Sequence, residues 1–290
     1  MIYLILSILT SSLVFVILSG FGRFGIDNRR AIVINYLTAL TLGVVWKGSL
    51  WIESAWWNEP WAPHVLYMGF LFIFLFNVLA IGAQKTGVSV SSVAVKMSVS
   101  IPVTASLFLY GERLSLLGGL GILGALVAVF LITRPNRSEG ALPVAKYWYL
   151  PVTLFFGAGL LDTLLKYHQT HFVQDAHFVL YTSCVFGLAG LYGFAQVTIR
   201  PQADTKWRRK DILAGLLLGI PNFGSIYFLL KTLQWEKWPS SLVFPINNVA
   251  IVLLSALLGV WLFKEKLNTV HRFGIGIAVL SIWLMAYAGQ

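Results

Sequence analysis

Long apolar runs recur along the whole chain, separated by short segments that hold charges, prolines and glycines. About 20 apolar residues in a helix are enough to cross the hydrocarbon core of a bilayer. The pattern predicts an all-α integral membrane protein with ten transmembrane helices. The predicted spans are residues 2–20, 31–50, 64–84, 88–110, 116–134, 147–167, 177–199, 211–231, 240–263 and 269–288.

Composition supports the same fold class. The chain is 58% hydrophobic and only 11% charged, with a mean hydropathy of +0.78, whereas a soluble domain is about 25% charged. Met1–Gly20 lacks the basic start and cleavage site of a removed signal peptide, so it is expected to be a retained span. The single cysteine, Cys184, excludes an internal disulfide and any multi-cysteine metal site.

The formal net charge of +10 is interpreted as the charge of cytoplasmic loops and not as a sign of nucleic-acid binding. Lys and Arg collect on the cytoplasmic loops of membrane proteins. With ten spans both termini share one face, and the opposite face holds most basic residues, including loops 20–30 and 200–211. We therefore expect a multi-pass protein of the cell (inner) membrane, with cytoplasmic basic loops and both termini outside.

The two halves of the chain repeat each other. Tyr110–Ser115 (YGERLS) is echoed by Phe263–Asn268 (FKEKLN), and in the same register Gly121 matches Gly274. Since five spans are an odd number, the second unit is inverted relative to the first, as in many secondary transporters with a central substrate cavity. The predicted division is a first repeat at 1–135, a connecting loop at 136–146 and a second repeat at 147–290.

Two five-span halves, each with a Glu-basic-Leu turn before its last span, resemble the EamA-like branch of the drug/metabolite transporter superfamily. Gly111-Glu112-Arg113-Leu114 fits that turn, and Lys264-Glu265-Lys266-Leu267 fits it with Lys in place of Gly. The resemblance implies a carrier of small metabolites, often an exporter, that works by alternating access. The small multidrug branch uses a Glu in its first span. Span 2–20 has no acid, so proton-coupled export of cationic drugs is not expected.

Lys96 is the sharpest candidate for a functional residue, because it lies in the middle of a serine-rich apolar span. A lysine in the bilayer centre costs roughly 2.5–3.5 kcal/mol on insertion scales. It could dock a substrate carboxylate or phosphate, or pair with an acid in one state of a transport cycle. The alternatives are a permanent ion pair and a side chain that extends to the membrane surface. Pro102, six residues later, removes a backbone donor and favours a kink.

Asp162 is the acid that lies well inside an apolar span. It could carry a proton or pair with Lys96. Lys166 lies four residues later, so a local pair on one helix is the alternative explanation.

Amides and hydroxyls add further candidates. Asn247 and Asn248 follow Pro245 on the ninth span and could bind a ligand or simply join helices. The remaining substrate-binding candidates are Asn35, Tyr36, Asn77, Asn222 and Tyr227. Pro102, Pro221 and Pro245 are the predicted hinges.

Two clusters are expected to be structural. His168, His171 and His177 with Asp175 are predicted to form a polar outer loop, since a closed zinc site needs four ligands in defined geometry. The tryptophans are interpreted as an interfacial belt, with a ligand cage as the alternative; they are Trp46, Trp51, Trp56, Trp57 and Trp61.

The sequence therefore predicts a secondary transporter of a small polar metabolite, such as an amino acid or another carboxylate. It is expected to need no cofactor and no metal, and to act as a monomer or homodimer among membrane lipids. The alternatives are a membrane-embedded enzyme acting on lipid or an isoprenoid carrier, and a receptor that does not transport.

Overall fold

The structure is a computed structural model that describes residues 2–48, 55–86, 88–133, 144–199, 207–234, 238–263 and 269–288. Within these residues it contains α-helices and three short 3-10 helices, and no strand. The α-helices are α1 (Ile2–Arg23), α2 (Asn28–Lys47), α3 (His64–Lys85), α4 (Val88–Met97), α5 (Ser100–Leu109), α6 (Leu116–Thr133), α7 (Tyr149–His171), α8 (Phe178–Ile199), α9 (Arg209–Leu233), α10 (Ser240–Phe263) and α11 (Thr269–Ala288). The 3-10 helices are Trp56–Asn58, Val144–Tyr147 and Asp175–His177.

A helix lies at each predicted span, and the span 88–110 is divided into α4 and α5. Among the described residues, six helices are long and apolar enough to cross a membrane. They are Ile2–Gly22, Tyr149–His171, Phe178–Ile199, Arg209–Leu233, Ser240–Leu258 and Thr269–Ala288. Shorter apolar helical segments occur at His64–Leu79, Val93–Leu109 and Leu116–Ile132. The all-helical membrane class predicted from the sequence is confirmed, and ten crossings remain part of the proposal below.

The helices pack into two compact units. Unit 1 comprises Met1–Phe74 and Leu165–Lys231, and unit 2 comprises Leu75–Leu164 and Thr232–Gln290. The long helices α3 and α7 contribute a part to each unit. Each unit therefore draws on both halves of the sequence.

In unit 1, α2 packs along α8. A cluster of Phe21, Ala31, Ala214 and Leu218 joins α2 to α1 and α9. These are small or apolar side chains, which allow helices to approach closely where no water competes. The start of α2 is capped by Asp27, whose Oδ1 accepts the backbone N–H of Arg30 at 3.3 Å.

In unit 2, α6 packs along α11, and α10 contacts both. The contact between α6 and α11 depends on glycines. A Cβ atom on Gly121 would lie 2.6 Å from Met285 Cγ, and a Cβ atom on Gly274 would lie 2.9 Å from Ile132 Cγ1. An early residue of each helix thus contacts a late residue of the other, so the two helices are antiparallel.

The interruption between α4 and α5 lies at Ser98 and Val99. Pro102 has no backbone N–H, so it cannot continue the helical bonding to Ser98. Instead the Ile101 N–H donates to the Ser98 carbonyl at 2.9 Å. The kink predicted from Pro102 is therefore a break in the helix, just after Lys96.

Candidate functional site

Lys96 lies in the last turn of α4 and is only 7% exposed. Its Nζ donates to Oδ1 of Asn248 on α10 at 3.3 Å. Burial of an ammonium group in an apolar interior is costly unless polar groups compensate it. The structure thus brings together Lys96 and Asn248, two of the residues that the sequence singled out.

Asp162, partly buried on α7, is the acid that interacts electrostatically with Lys96. Lys166, four residues later, donates to Oε1 of Gln169 at 3.0 Å. The electrostatic interaction with Lys96 is the contact that the structure gives for Asp162, and the roles that the sequence suggested for Asp162 stay predictions. We call Lys96, Asp162 and Asn248 the lysine cluster.

Asn247 lies next to the lysine cluster in the sequence of α10. Its side chain is 5% exposed, and its Oδ1 has no hydrogen-bond partner among the described residues. A buried, unpaired amide oxygen costs about 1–3 kcal/mol. A bound ligand or water that donates a hydrogen bond would recover this cost. Pro245, two residues earlier in α10, and Pro102 are buried, whereas Asn77 on α3 is partly buried.

The other predicted site residues belong to unit 1. Asn35 on α2 is 1% exposed, and neither atom of its amide group has a partner in the described part of the chain. Its neighbour Tyr36 stacks on Phe186, with ring centroids 5.7 Å apart. On α9, Pro221 is buried, Asn222 is partly buried, and Tyr227 packs against Trp46 with ring centroids 5.0 Å apart. Tyr36 and Tyr227 thus have aromatic packing partners of their own.

Glu112 has a specific role that the sequence did not reveal. Its Oε1 accepts the backbone N–H and the hydroxyl of Ser240 at 2.9 and 2.6 Å, and its Oε2 accepts the N–H of Ser241 at 2.8 Å. Burial raises the pKa of Glu112, but these hydrogen bonds outweigh burial and hold the pKa below its usual value. The acid of the Gly-Glu-Arg-Leu turn therefore caps the start of α10. The sequence feature that could have indicated this contact is the pair Ser240 and Ser241 at the start of α10.

The prediction that His168 lies in a polar loop is wrong. His168 is in the last turn of α7 and is 1% exposed. The hydroxyl of Tyr181 lies 2.7 Å from its Nδ1, and the hydroxyl of Tyr67 bonds its Nε2. Two hydroxyl partners compensate the burial of the ring. His171 lies in the same turn and is exposed, and no group of three or more metal-ligating side chains occurs within the described residues.

A second buried ionic group lies at the start of α9 in unit 1. Asp211 is 0% exposed and accepts from Nε and Nη2 of Arg208 at 2.8 and 3.2 Å. It also accepts the N–H of Asp27 at 2.9 Å, and Asp27 lies 3.8 Å from Arg30. This network fastens the turn between α1 and α2 to α9.

The tryptophans do not behave as one group. Trp46 and Trp57 are 57% and 59% exposed, as expected for an interfacial belt. Trp61 is 0% exposed and contacts Tyr181 edge-on, with ring centroids 5.8 Å apart. Trp61 therefore belongs to the core. Trp51 lies outside the described residues.

Comparison with known proteins supports the same family. The EamA-like transporter family matches residues 151–287. An uncharacterized protein of Haemophilus influenzae is 26% identical over 290 residues, covering 98% of this chain and 97% of that protein. A protein of known crystal structure shares the fold, with a TM-score of 0.74 at 15% sequence identity. The alignment covers 98% of this chain and 94% of that one. The family predicted from the sequence is therefore the one whose model matches this multi-pass membrane protein, over residues 151–287.

Proposed function

We propose that this protein is a secondary transporter that exports a small polar metabolite with an anionic group, an amino acid or another carboxylate. The observation that carries the proposal is the lysine cluster. It places an ammonium, a carboxylate and an amide in the interior of unit 2, and ionisable groups inside membrane proteins are usually functional.

The contacts of Lys96 support a docking role. The amide oxygen of Asn248, 3.3 Å from Nζ, is a neutral acceptor. A substrate carboxylate is a stronger acceptor, because hydrogen bonds between charged groups are shorter and stronger than neutral ones. The unpaired Oδ1 of Asn247 adds an acceptor for the polar remainder of the substrate. Asp162 then serves as the proton-binding group, whose charge state changes the attraction that Lys96 offers to an anion.

Reciprocal contacts in unit 2 support the inverted repeat. Gly121 and Gly274 are equivalent in the two halves, and in the same register Ile132 is equivalent to Met285. Gly121 approaches Met285, and Gly274 approaches Ile132. When residue i contacts j and the equivalent of i contacts the equivalent of j, the two segments are related by a twofold axis.

The lysine cluster obeys the same register. Asn248 is the equivalent of Val95, so Lys96 bonds the counterpart of its own sequence neighbour. Residues close to a twofold axis make this kind of contact. Inverted repeats place substrate sites near the bilayer midplane, at discontinuous helices. The break between α4 and α5 directly after Lys96 fits that location.

The proposal includes ten crossings, two five-helix halves at 1–135 and 147–290 with a cavity between them, and movement about Pro102, Pro221 and Pro245. It also includes an inner-membrane location, cytoplasmic basic loops and outer termini. Membrane lipid and the substrate are the proposed partners of a monomer or homodimer.

The test is uptake and counterflow of radiolabelled amino acids, monocarboxylates and dicarboxylates in proteoliposomes. Lys96→Met should lower transport about 10- to 100-fold, because it removes a hydrogen bond to a charged group. Lys146→Met is the matched control, since Lys146 is exposed. Undiminished transport by Lys96→Met would rule out docking.

A double variant separates docking from a structural pair. If Lys96 only neutralises Asp162, then Lys96→Met combined with Asp162→Asn should restore transport, because neither charge is left alone. If Lys96 docks the substrate, the double variant stays inactive while remaining folded. Binding without flux would indicate a receptor, and chemical conversion of an added lipid would indicate an enzyme.

A further inference from the structure

The start of α9, in unit 1, carries exposed cations above exposed apolar side chains. Arg209 and Lys210 are the first two residues of the helix, and both are exposed. Leu213, Leu217 and Ile220 follow on the same helix and are exposed as well. Because α9 is long and apolar enough to cross a membrane, its first residues belong at a membrane surface.

Helical geometry places the two cations on either side of the apolar side chains. An α-helix turns by about 100° per residue, so Arg209 and Lys210 point about 100° apart. Leu213, Leu217 and Ile220 fall within the angle between them. The opposite side of α9 packs against α1 and α2 through Ala214 and its neighbours. The cations and the exposed apolar residues therefore share one side of the helix, which we call the outer face of α9.

The turn after α1 holds Lys210 in place. Its Nζ donates to the backbone carbonyl of Phe24 at 3.0 Å. An ammonium group carries three N–H donors, so this bond leaves capacity for a second acceptor. Phe24 is itself 66% exposed, which adds an apolar residue beside the cation.

The acids at this end of unit 1 already have cationic partners. Asp211 is fully buried and bonded to Arg208, and Asp27 lies beside Arg30. Among the residues that the structure describes, neither Arg209 nor Lys210 forms a salt bridge. Two exposed cations without an acid create a positive potential that attracts anions.

Trp207 indicates the depth of this site in the membrane. It lies two residues before Arg209, is 38% exposed, and stacks on the exposed ring of Phe194 with centroids 6.5 Å apart. Tryptophan is enriched where hydrocarbon meets water, because its ring is apolar and its N–H is polar. Arg209 and Lys210 thus lie at the level of the lipid headgroups.

We propose that the outer face of α9 binds an anionic phospholipid. The lipid phosphate accepts hydrogen bonds from Arg209 and Lys210, and an acyl chain lies along Leu213, Leu217 and Ile220. Charge-assisted bonds to phosphate are about twice as strong as neutral ones. A soluble anion would meet the same cations but would gain nothing from the apolar side chains, so a lipid fits this face better.

Native mass spectrometry of the detergent-purified protein measures the affinity for each lipid. Dioleoylphosphatidylglycerol is the anionic probe, and dioleoylphosphatidylcholine is the zwitterionic probe with the same acyl chains. Arg209→Gln and Lys210→Gln each remove one cation, whereas Lys210→Arg keeps the charge and the donor. Arg272→Gln is the matched control, since Arg272 is an exposed cation in the first turn of α11, another helix that could span the membrane.

We expect wild type to prefer phosphatidylglycerol by about 25-fold, because each cation near a membrane surface contributes about fivefold in affinity for anionic lipid. Arg209→Gln and Lys210→Gln should each lower that affinity about fivefold, and the double variant should lose most of the preference. Lys210→Arg and Arg272→Gln should bind both lipids as wild type does.

Equal affinity of wild type for the two lipids would overturn the proposal. A loss in Arg272→Gln as large as that in Arg209→Gln would overturn it too, because the attraction would then come from net charge and not from this face. Displacement of bound phosphatidylglycerol by inorganic phosphate would replace the lipid site with one for soluble anions.

Discussion

The two units bury charge in opposite ways. In unit 1, the carboxylate of Asp211 receives three hydrogen bonds, from Asp27 and from two nitrogens of Arg208, at 2.8–3.2 Å. In unit 2, Lys96 donates to a neutral amide at 3.3 Å and is attracted electrostatically by Asp162. Removal of one partner from such a bonded, buried charge is strongly destabilising. A buried ammonium that donates to a neutral amide can instead exchange that acceptor for an anionic ligand, which is a stronger acceptor.

The largest expected effect on stability is in unit 1. Asp211→Ala removes the acceptor of three hydrogen bonds, two of them from the guanidinium of Arg208. We expect a loss of about 2–3 kcal/mol in the free energy of unfolding, at the low end for buried pairs because Arg208 is partly exposed. Thermal unfolding of the detergent-purified protein measures this loss.

Arg209→Ala is the control for Asp211→Ala. Arg209 is exposed, so this change should alter stability by less than about 0.5 kcal/mol. If Asp211→Ala changed the free energy of unfolding as little as Arg209→Ala, the bonded carboxylate of unit 1 would not be a stabilising group, and the contrast with Lys96 of unit 2 would fail.

The glycines of α6 and α11 give the next largest effect. Gly121→Val and Gly274→Val should each cost about 1–3 kcal/mol, because the added atoms meet the facing helix. Gly119 and Gly276 lie on the same two helices and have no atom within 4 Å of an added Cβ. Valine at either of those positions should therefore cause no packing loss. Unequal effects of the first two variants would argue against reciprocal packing.

The cap on α10 gives the smallest effect. Glu112→Gln should lower stability by about 1–2 kcal/mol at neutral pH, because an amide can satisfy only part of the three donors. Since folding lowers the pKa of Glu112 below its ordinary 4.5, the stabilisation is complete above that value. It is lost as pH falls through the lower, folded-state pKa. Melting curves of wild type and variant should therefore converge in acid, with exposed Arg113→Gln as the control.

Local patterns made the helices predictable. Apolar runs fixed the approximate position of each one, and Pro102 indicated the break between α4 and α5 because proline removes a specific backbone donor. Lys96 and Asp162 stood out since charges are rare inside apolar runs. These inferences need only the residue and its neighbours along the chain.

The remaining contacts depend on residues distant in sequence. Nothing near His168 indicates that Tyr67 and Tyr181 will bond both of its nitrogens, so its polar neighbours suggested a loop. Trp61 resembled the other tryptophans of its segment until its burial was known. Glu112 was recognised as part of a motif, but its partners lie at the start of a helix in the other half.

The break after α4 has an electrical consequence. A ten-residue helix rises about 15 Å, half of the roughly 30 Å hydrocarbon thickness. In the proposed ten-span arrangement, which puts Val88 at one membrane surface, the ammonium of Lys96 would sense about half of the transmembrane voltage. Each 100 mV then changes the energy of that charge by about 1 kcal/mol. An anion bound there would feel the same field with the opposite sign, so the resting voltage itself would favour one side for loading and the other for release.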